Sequence, residues 1–276
     1  MMELPASTYY HDPKISRAEQ EEQDANFRGK IEQIRVKFPR AGYRQLLPLM
    51  KKSGIEIGER KLRRILKKFD LQIRPIKRFV TTTDSNHNYR VYPNLIEEMT
   101  VTDINQVWAS DITYIRIENG FVFLAVILDL FSRKVIGWAI SKNIDRHLTL
   151  SALKMAINRR KPPKGVIHHS DRGAQYLCND YVTELVDNGF FISCSRKGNP
   201  YDNAWLESFM KTLKENEVYM WEYETILDVI ERVPHFIEEV YNKKRPHSSL
   251  GYFSPEEFEK QVKMEYSEED GPKFTL

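Results

Sequence analysis

Apolar positions first recur at a helical step at Phe27, Ile31, Ile34 and Phe38, three or four residues apart. The run YRQLLPLMKK follows, with Leu46, Leu47 and Met50 apolar, and Pro48 inside it predicts a short or kinked helix. SGIEIG reads as a turn. ERKLRRILKKF then gathers Leu62, Ile65, Leu66 and Phe69 into one stripe, with a third helix as the natural reading. Residues 75–99 hold few regular signals and read as a linker, marked by Pro75, TTTDSNHN and Pro93.

Beyond it the pattern turns to that of strands. WASDITYIRI leads through Glu118-Asn119-Gly120 into FVFLAVILDL, and Asn-Gly between two β-rich runs predicts a hairpin. FSR turns the chain into KVIGWAIS, a third antiparallel strand. A helix over about Leu148–Arg160 places Leu150, Leu153, Ala156 and Ile157 inward. GVIHH is a fourth strand, AQYLCNDYVTELVDNG a helix ending at Gly189, and FFISCS a fifth strand. After the polar loop RKGNPYDN a long helix runs from Ala204 to about Asn216. This order describes an α/β fold, a ribonuclease H-like mixed five-stranded sheet flanked by helices. A small all-α helix-turn-helix unit precedes it. The expected boundaries are a tail over 1–24, the helical domain over 25–75, the linker over 76–99, the core with its C-terminal helices over 100–260, and an acidic, disordered tail over 261–276.

Charge sharpens this division. Arg28 to Arg78 holds 17 Lys/Arg and 4 Asp/Glu, a local +13 inside a chain of net +3, so the remainder carries −10. A basic block beside an acidic remainder points to a polyanion-binding module next to a module with another task. Arg60, Lys61, Arg63, Arg64 and Lys67 cover the polar face of the third helix and are candidate DNA contacts; the alternative is a merely solvated face. No apolar run approaches a membrane span, and the start has no apolar signal centre, so a soluble cytoplasmic protein is expected. Cys178 and Cys194 lack metal-site spacing and read as buried free thiols.

Three carboxylates carry the candidate chemistry. Asp111 interrupts the first strand, Asp171 follows the fourth, and Glu207 sits on the helix after the fifth. Strands one and four are central neighbours in such a sheet, so the three can converge. Converging buried carboxylates repel one another unless paired or metal-bound. Mg²⁺ or Mn²⁺ takes oxygen ligands, and two such ions support in-line phosphoryl displacement. Gly173 would let the loop after Asp171 turn closely. A lone aspartate at a strand end is ordinarily a cap, and Asp129 and Asp202 compete for the role; spacing and context together favour the trio.

The motifs WASDITYI, HSDRGAQY, GNPYDNAWLESFMKTLKEN and YNKKRPHSSLGYFSPEEF, in that order, closely resemble the OrfB-type transposases of two-frame bacterial insertion sequences, over roughly residues 25–260. The core of that family is similar to retroviral integrases. The resemblance implies that Asp111, Asp171 and Glu207 are the catalytic, metal-binding acids, with Mg²⁺ or Mn²⁺, two ions per site, as cofactor, and that Lys214 contacts DNA. It implies DNA partners, namely terminal inverted repeats and a target. It also implies a homo-oligomer, together with or fused to an upstream-frame OrfA product. The activity implied is metal-dependent cleavage at element ends followed by 3′-hydroxyl strand transfer. A hydrolysis-only nuclease and a DNA-binding regulator are the alternatives. Asn199, Pro200, Asp202 and Asn203 are read as loop-shaping residues, with Asn203 a possible N-cap. Trp205, Phe209 and Tyr176 are read as core and His169 as a structural hydrogen bonder. Arg245 and His247 either face DNA or close the fold.

Overall fold

The computed structural model describes residues 16–73, 89–196 and 203–269. The chain divides into two compact units, Met1–Pro75 and Ile76–Leu276.

Among its described residues the first unit holds three helices, α1 (Arg17–Lys37), α2 (Tyr43–Lys52) and α3 (Glu59–Lys68). Ile31, Leu46, Met50, Leu62 and Ile65 are fully buried between them. Helix α1 begins well before Phe27, inside the stretch expected to be tail. The cause is a capping box: Ser16 and Glu19 exchange side-chain and backbone hydrogen bonds. The first turns of α1 are polar, so apolar periodicity misses them. Asp24, in that overlooked part, is wholly buried and takes Arg64 at 2.6 Å and Lys68 at 3.0 Å.

The second unit is built on β1 (Val107–Ile117), β2 (Gly120–Asp129), β3 (Val135–Ser141), β4 (Ile167–Ser170) and β5 (Phe191–Cys194). The sheet order is β3-β2-β1-β4-β5. The first three strands are antiparallel, and β4 and β5 run parallel to β1. Helices α4 (Arg146–Arg160), α5 (Ala174–Leu177) and α6 (Asn179–Asp187) follow in the crossovers, and α7 (Ala204–Asn216), α8 (Ile226–His235) and α9 (Pro255–Glu269) come after the last strand. A π-helical segment, Phe236–Asn242, continues α8. This is a ribonuclease H-like sheet. Trp108, Ala152, Leu153, Tyr181 and Leu185 form the core on one face, and Val107, Leu124, Leu206, Phe209 and Val233 form it on the other. Gly137 lets α4 press on β3; a Cβ there would stand 2.8 Å from Ala156 Cβ.

Several local details depart from the sequence reading. The hairpin turns on Glu118 and Asn119, and Gly120 alone takes a positive φ, +125°. The expected single helix after β4 breaks at Cys178, whose backbone is extended. The linker expected to reach residue 99 ends sooner, because Pro93 O accepts from Cys194 N, Leu95 N donates to Ser193 Oγ, and Ile96 is buried in the core. Helix α9 continues into the expected acidic tail as far as Glu269. Residues 1–15, 74–88 and 270–276, the rest of both tails and of the linker, lie outside the described residues.

Candidate active site

The parallel pairing of β1 with β4 runs from Val107↔Ile167 to Ser110↔Ser170. Asp111 is the next residue of β1 and Asp171 the first residue after β4, so the register itself sets them side by side. Asp111 Oδ1 accepts from Ile112 N at 2.8 Å. Asp171 Oδ1 accepts from Gly173 N at 2.9 Å, which folds the chain back at once after β4. Gly173 has an ordinary negative φ of −66°. A Cβ here would lie 2.9 Å from Asp171 Oδ1 and 2.9 Å from Gln175 Oε1, so a side chain would push these two carbonyl-type oxygens aside.

Glu207 stands in the first turn of α7 and is exposed. Asn203 occupies the N-cap position, but its side chain makes no capping bond there, contrary to the sequence reading; its backbone, at φ −127° and ψ 19°, is not that of a side-chain cap. Asn199, Pro200 and Asp202 lie outside the described residues.

The electrostatics tie these groups together. Burial pushes the Asp111 carboxyl up to about 7, and the negative charges of Asp171 and Glu207 push the same way; the Ile112 N–H and Lys214 only partly oppose them. Lys214 is half-buried, and burial lowers its ammonium while Asp111 supports its charge. Its Nζ lies 4.6 Å from the centroid of the Tyr114 ring. Tyr176, expected as core, is indeed 3% exposed, and it is also more than core. Burial raises its phenol far above the ordinary value, and the charges of Asp111 and Asp171 raise it further, so the ring borders the acid pair.

Other expected residues are structural. His169 Nδ1 meets Ser193 Oγ at 2.8 Å. His168 Nε2 meets Tyr181 OH at 2.9 Å, and burial, then His169, lower its pKa to about 3. Phe209 is buried and Trp205 is half-buried beneath Arg133. Arg245 is buried and His247 half-buried, both against Tyr241, as fold-closing residues. Cys194 is buried, whereas Cys178 is half-exposed at the helix break; both are free thiols. The YNKKRPH motif holds a role that composition did not reveal. Asn242 accepts from Val135 N and donates to Val135 O, both at 2.9 Å, and so seals the start of edge strand β3 as a strand would.

Asp129, the competing acid, is a turn residue. It accepts from Asn105 N at 2.7 Å and from Phe131 N and Ser132 N at 3.0 Å.

The basic face of α3 splits into two stripes. Lys61, Arg64 and Lys68 lean on α1: Lys61 bonds Gln23 and covers the Phe27 ring, while Arg64 and Lys68 hold Asp24. Arg60, Arg63 and Lys67 form the other stripe at the i, i+3, i+7 spacing. Arg63 pairs with Glu59 at 3.4 Å and covers the Tyr43 ring. Arg60 and Lys67 are exposed, with no side-chain partner among the described residues.

Among the described residues no three His, Cys, Asp or Glu side chains stand close enough together to hold a metal ion. The donor set is nonetheless all carboxylate oxygen, with the acidic neighbours of Asp111 only partly offset by Lys214, which suits a hard divalent cation. No helix among the described residues is long and apolar enough to cross a membrane.

Comparison with known proteins agrees with this architecture. The integrase core domain family matches residues 102–200, and a second integrase core domain pattern matches residues 188–255. The uncharacterized 31 kDa protein of insertion element IS600 from Shigella sonnei is 36% identical over 254 residues, 91% of this chain and 93% of that protein. The transposase InsF for insertion sequence IS3A from Escherichia coli strain K12 is 37% identical over 221 residues, 80% of this chain and 77% of that protein. Among solved structures, the HTLV-2 integrase catalytic core domain in complex with magnesium overlays at a TM-score of 0.44, with 16% identity, covering 56% of this chain and 95% of that one. The BIV integrase core overlays at 0.45, with 18% identity, covering 59% and 99%. Overlays this loose leave the fold to be read from the strand order. Motif, topology and kinship converge: the chain belongs to the insertion-sequence transposases that carry an integrase core domain.

Proposed function

We propose that this DNA transposase cuts the strand at its element's ends and joins the freed 3′ hydroxyl to target DNA, with Asp111, Asp171 and Glu207 as the catalytic acids. The observation that carries the reading is the adjacency of Asp111 and Asp171 at the end of the β1–β4 register, with Glu207 and Lys214 acting on Asp111. These three carboxylates would hold Mg²⁺ or Mn²⁺, two ions in the full site. Bound there, such ions supply Lewis-acid stabilisation of the attacking and leaving oxygens.

In the first step a water oxygen bonds to phosphorus and the 3′ oxygen leaves as a hydroxyl. In the second, that hydroxyl bonds to a target phosphorus and displaces the target's own 3′ oxygen. No oxidant or covalent protein adduct is needed. The acids act as ligands and not as nucleophiles. Lys214, beside Asp111, holds the scissile phosphate region, and Arg60, Arg63 and Lys67 grip the backbone of the terminal repeat, with salt-dependent affinity. Joining two ends to one target calls for at least two copies, with or without the upstream-frame OrfA product.

The test is a gel assay on labelled duplexes carrying the element's terminal repeats, with Mg²⁺ or Mn²⁺, comparing wild type with Asp171→Asn. Cleavage and joining that vanish in the variant are the expected result. Cleavage without joining would replace the reading with a hydrolysis-only nuclease. Binding without chemistry, even after the OrfA product is added, would replace it with a regulator.

A further inference from the structure

Lys214 serves two places at once. Its charge acts on Asp111, and its Nζ stands 4.6 Å from the centroid of the Tyr114 ring. Lys214 and Tyr114 also line a groove of about 920 Å³, formed by the β1–β2 hairpin and the chain that follows α7. The walls of this groove are aromatic. Tyr114 and Phe121 meet edge-on at 5.4 Å, and Trp221 stands in the same lining. Phe121 and Trp221 are each 52% exposed. Exposed rings gathered around one groove mark a binding site, whereas scattered ones do not.

Trp221 is also held in place. The Arg232 guanidinium lies 3.7 Å from the centroid of its ring. Arg232 Nε donates to Glu217 Oε1 at 2.8 Å, and Tyr223 OH donates to the same oxygen at 2.9 Å. Glu217 and Tyr223 are buried. An exposed indole braced on one side by a buried polar network has little freedom left to lose on binding. The charges then select the ligand. Lys214 and Arg116 are the cations of the lining, and Glu118, Glu222 and Glu224 are exposed carboxylates. This excess of acid does not suit a run of phosphates. It suits an uncharged aromatic ligand that carries hydrogen-bond donors and is tethered to a phosphate at the Lys214 end. An unpaired nucleobase is such a ligand. Its face stacks on aromatic rings, and the exocyclic amines of cytosine and adenine donate to carboxylates.

We propose that this groove takes unpaired bases at the end of the DNA strand whose phosphate lies at Lys214, stacking them on Trp221, Phe121 and Tyr114 with their amines toward Glu222 and Glu224. The placing of that phosphate rests on the proposed function; the groove's preference for unpaired bases does not. Bases inside a duplex keep their faces stacked on their neighbours, so the groove selects a frayed or single-stranded end. Stacking in the groove offsets the cost of unpairing and holds such an end open beside Asp111.

The test is fluorescence anisotropy of the full chain in chelator, where no strand is cut. The labelled DNAs are a blunt duplex and the same duplex with a short tail of cytosines, of thymines or of abasic sites, placed in turn on each strand. Cytosine and abasic tails carry the same phosphates, so their difference reads the bases alone. The cytosine tail is expected to bind about tenfold tighter than the abasic tail. Trp221→Ala with Phe121→Ala should erase that difference and leave blunt binding unchanged, whereas Trp221→Tyr should keep most of it. Thymine tails, which lack an exocyclic amine, should bind more weakly than cytosine tails, and Glu222→Ala with Glu224→Ala should level the two. Melting curves establish that each variant is folded. Equal binding of cytosine and abasic tails by wild type overturns the proposal, as do aromatic variants that weaken blunt and tailed duplexes alike. Equal binding of cytosine and thymine tails overturns the part given to the carboxylates. Cleavage is not read, so failure here leaves the proposed chemistry standing. Loss of the chemistry with the tail preference intact would leave the groove a base-binding site.

Discussion

Asp111 and Asp129 occupy the same two-strand ribbon, one in β1 and one at the end of β2, and burial raises both carboxyls, yet their neighbours differ. Asp129 receives three backbone N–H groups and lies within the field of Arg160. Burial still raises its carboxyl, but its main neighbours favour the charged form, and only Glu259 opposes them. Asp111 receives one N–H, from the adjacent residue, and two of its neighbours are acids that add to the cost of burial. A carboxylate whose charge is answered by the fold builds a turn. One whose acidic neighbours add to the cost of burial is only partly answered by Lys214, which is why the proposed function gives it a cation.

The sharpest break between the two is by substitution. Asp111→Asn should lower end cleavage by about 10³-fold or more, since the ligand set loses a charge, with terminal-repeat binding in a gel-shift assay unchanged. Its melting temperature should hold or rise, because a mutual repulsion is removed. Asp129→Ala should do the reverse. Three N–H groups lose their acceptor, and unfolding free energy in a urea titration should drop by about 3 kcal/mol. If Asp111→Asn unfolds the core while Asp129→Ala leaves it stable and inactive, the roles are exchanged and the proposal fails.

The pH dependence has the same sign for both carboxyls, since burial raises each, and substitution at Asp111 isolates its share. Asp111 is raised from 3.8 to about 7 in the folded chain. Between those values the folded protein holds a proton that the unfolded protein has released, so stability is favoured below about pH 4 and declines as pH rises toward 7. For metal-free protein in chelator, the decline from Asp111 should be on the order of 1–2 kcal/mol after allowing for solvent screening, and Asp111→Asn should remove that share of the slope. Millimolar Mg²⁺ should oppose the decline in wild type only, by stabilising the ionised form. A thermal-shift series from pH 4 to 8 reads both effects, and identical slopes in wild type and variant would show that Asp111 does not carry the repulsion.

The sequence made the strand order legible because apolar β runs, the Gly120 turn and the helical stripes differ in period. That order was enough to place Asp111 beside Asp171. Spacing to Asp171 and Glu207 and the motif favoured Asp111 over Asp129, but no local pattern showed that Asp129 is a turn residue, because that depends on which N–H groups the turn after β2 aims inward. The sequence reading missed the first turns of α1, where the signal is the Ser16–Glu19 box in a polar stretch. It also missed Asn242, because sealing a strand edge from the far end of the chain is a long-range geometry that no local pattern encodes. Nor could a helical wheel alone divide the basic residues of α3, since the buried Asp24 that claims two of them sits in the overlooked part of α1.

That division yields the smallest and most discriminating contrast, the basic counterpart of the acid pair. Arg60 and Lys67 have no side-chain partner among the described residues, whereas Arg64 holds Asp24 at 2.6 Å. Arg60→Ala or Lys67→Ala should weaken binding to all duplexes alike, lower the salt dependence by about one phosphate contact each, and leave stability within about 0.5 kcal/mol. Arg64→Ala should leave the salt slope nearly unchanged and cost about 1–2 kcal/mol, because a fully buried carboxylate then keeps only Lys68. Asp24→Asn together with Arg64→Ala should recover part of that loss, since the charge left unanswered is removed along with its partner. A fluorescence-anisotropy salt titration and a denaturant melt on the same preparations separate the two stripes. If Arg64→Ala changes the salt slope as much as Lys67→Ala does, the ion pair with Asp24 opens on DNA and both stripes meet the duplex.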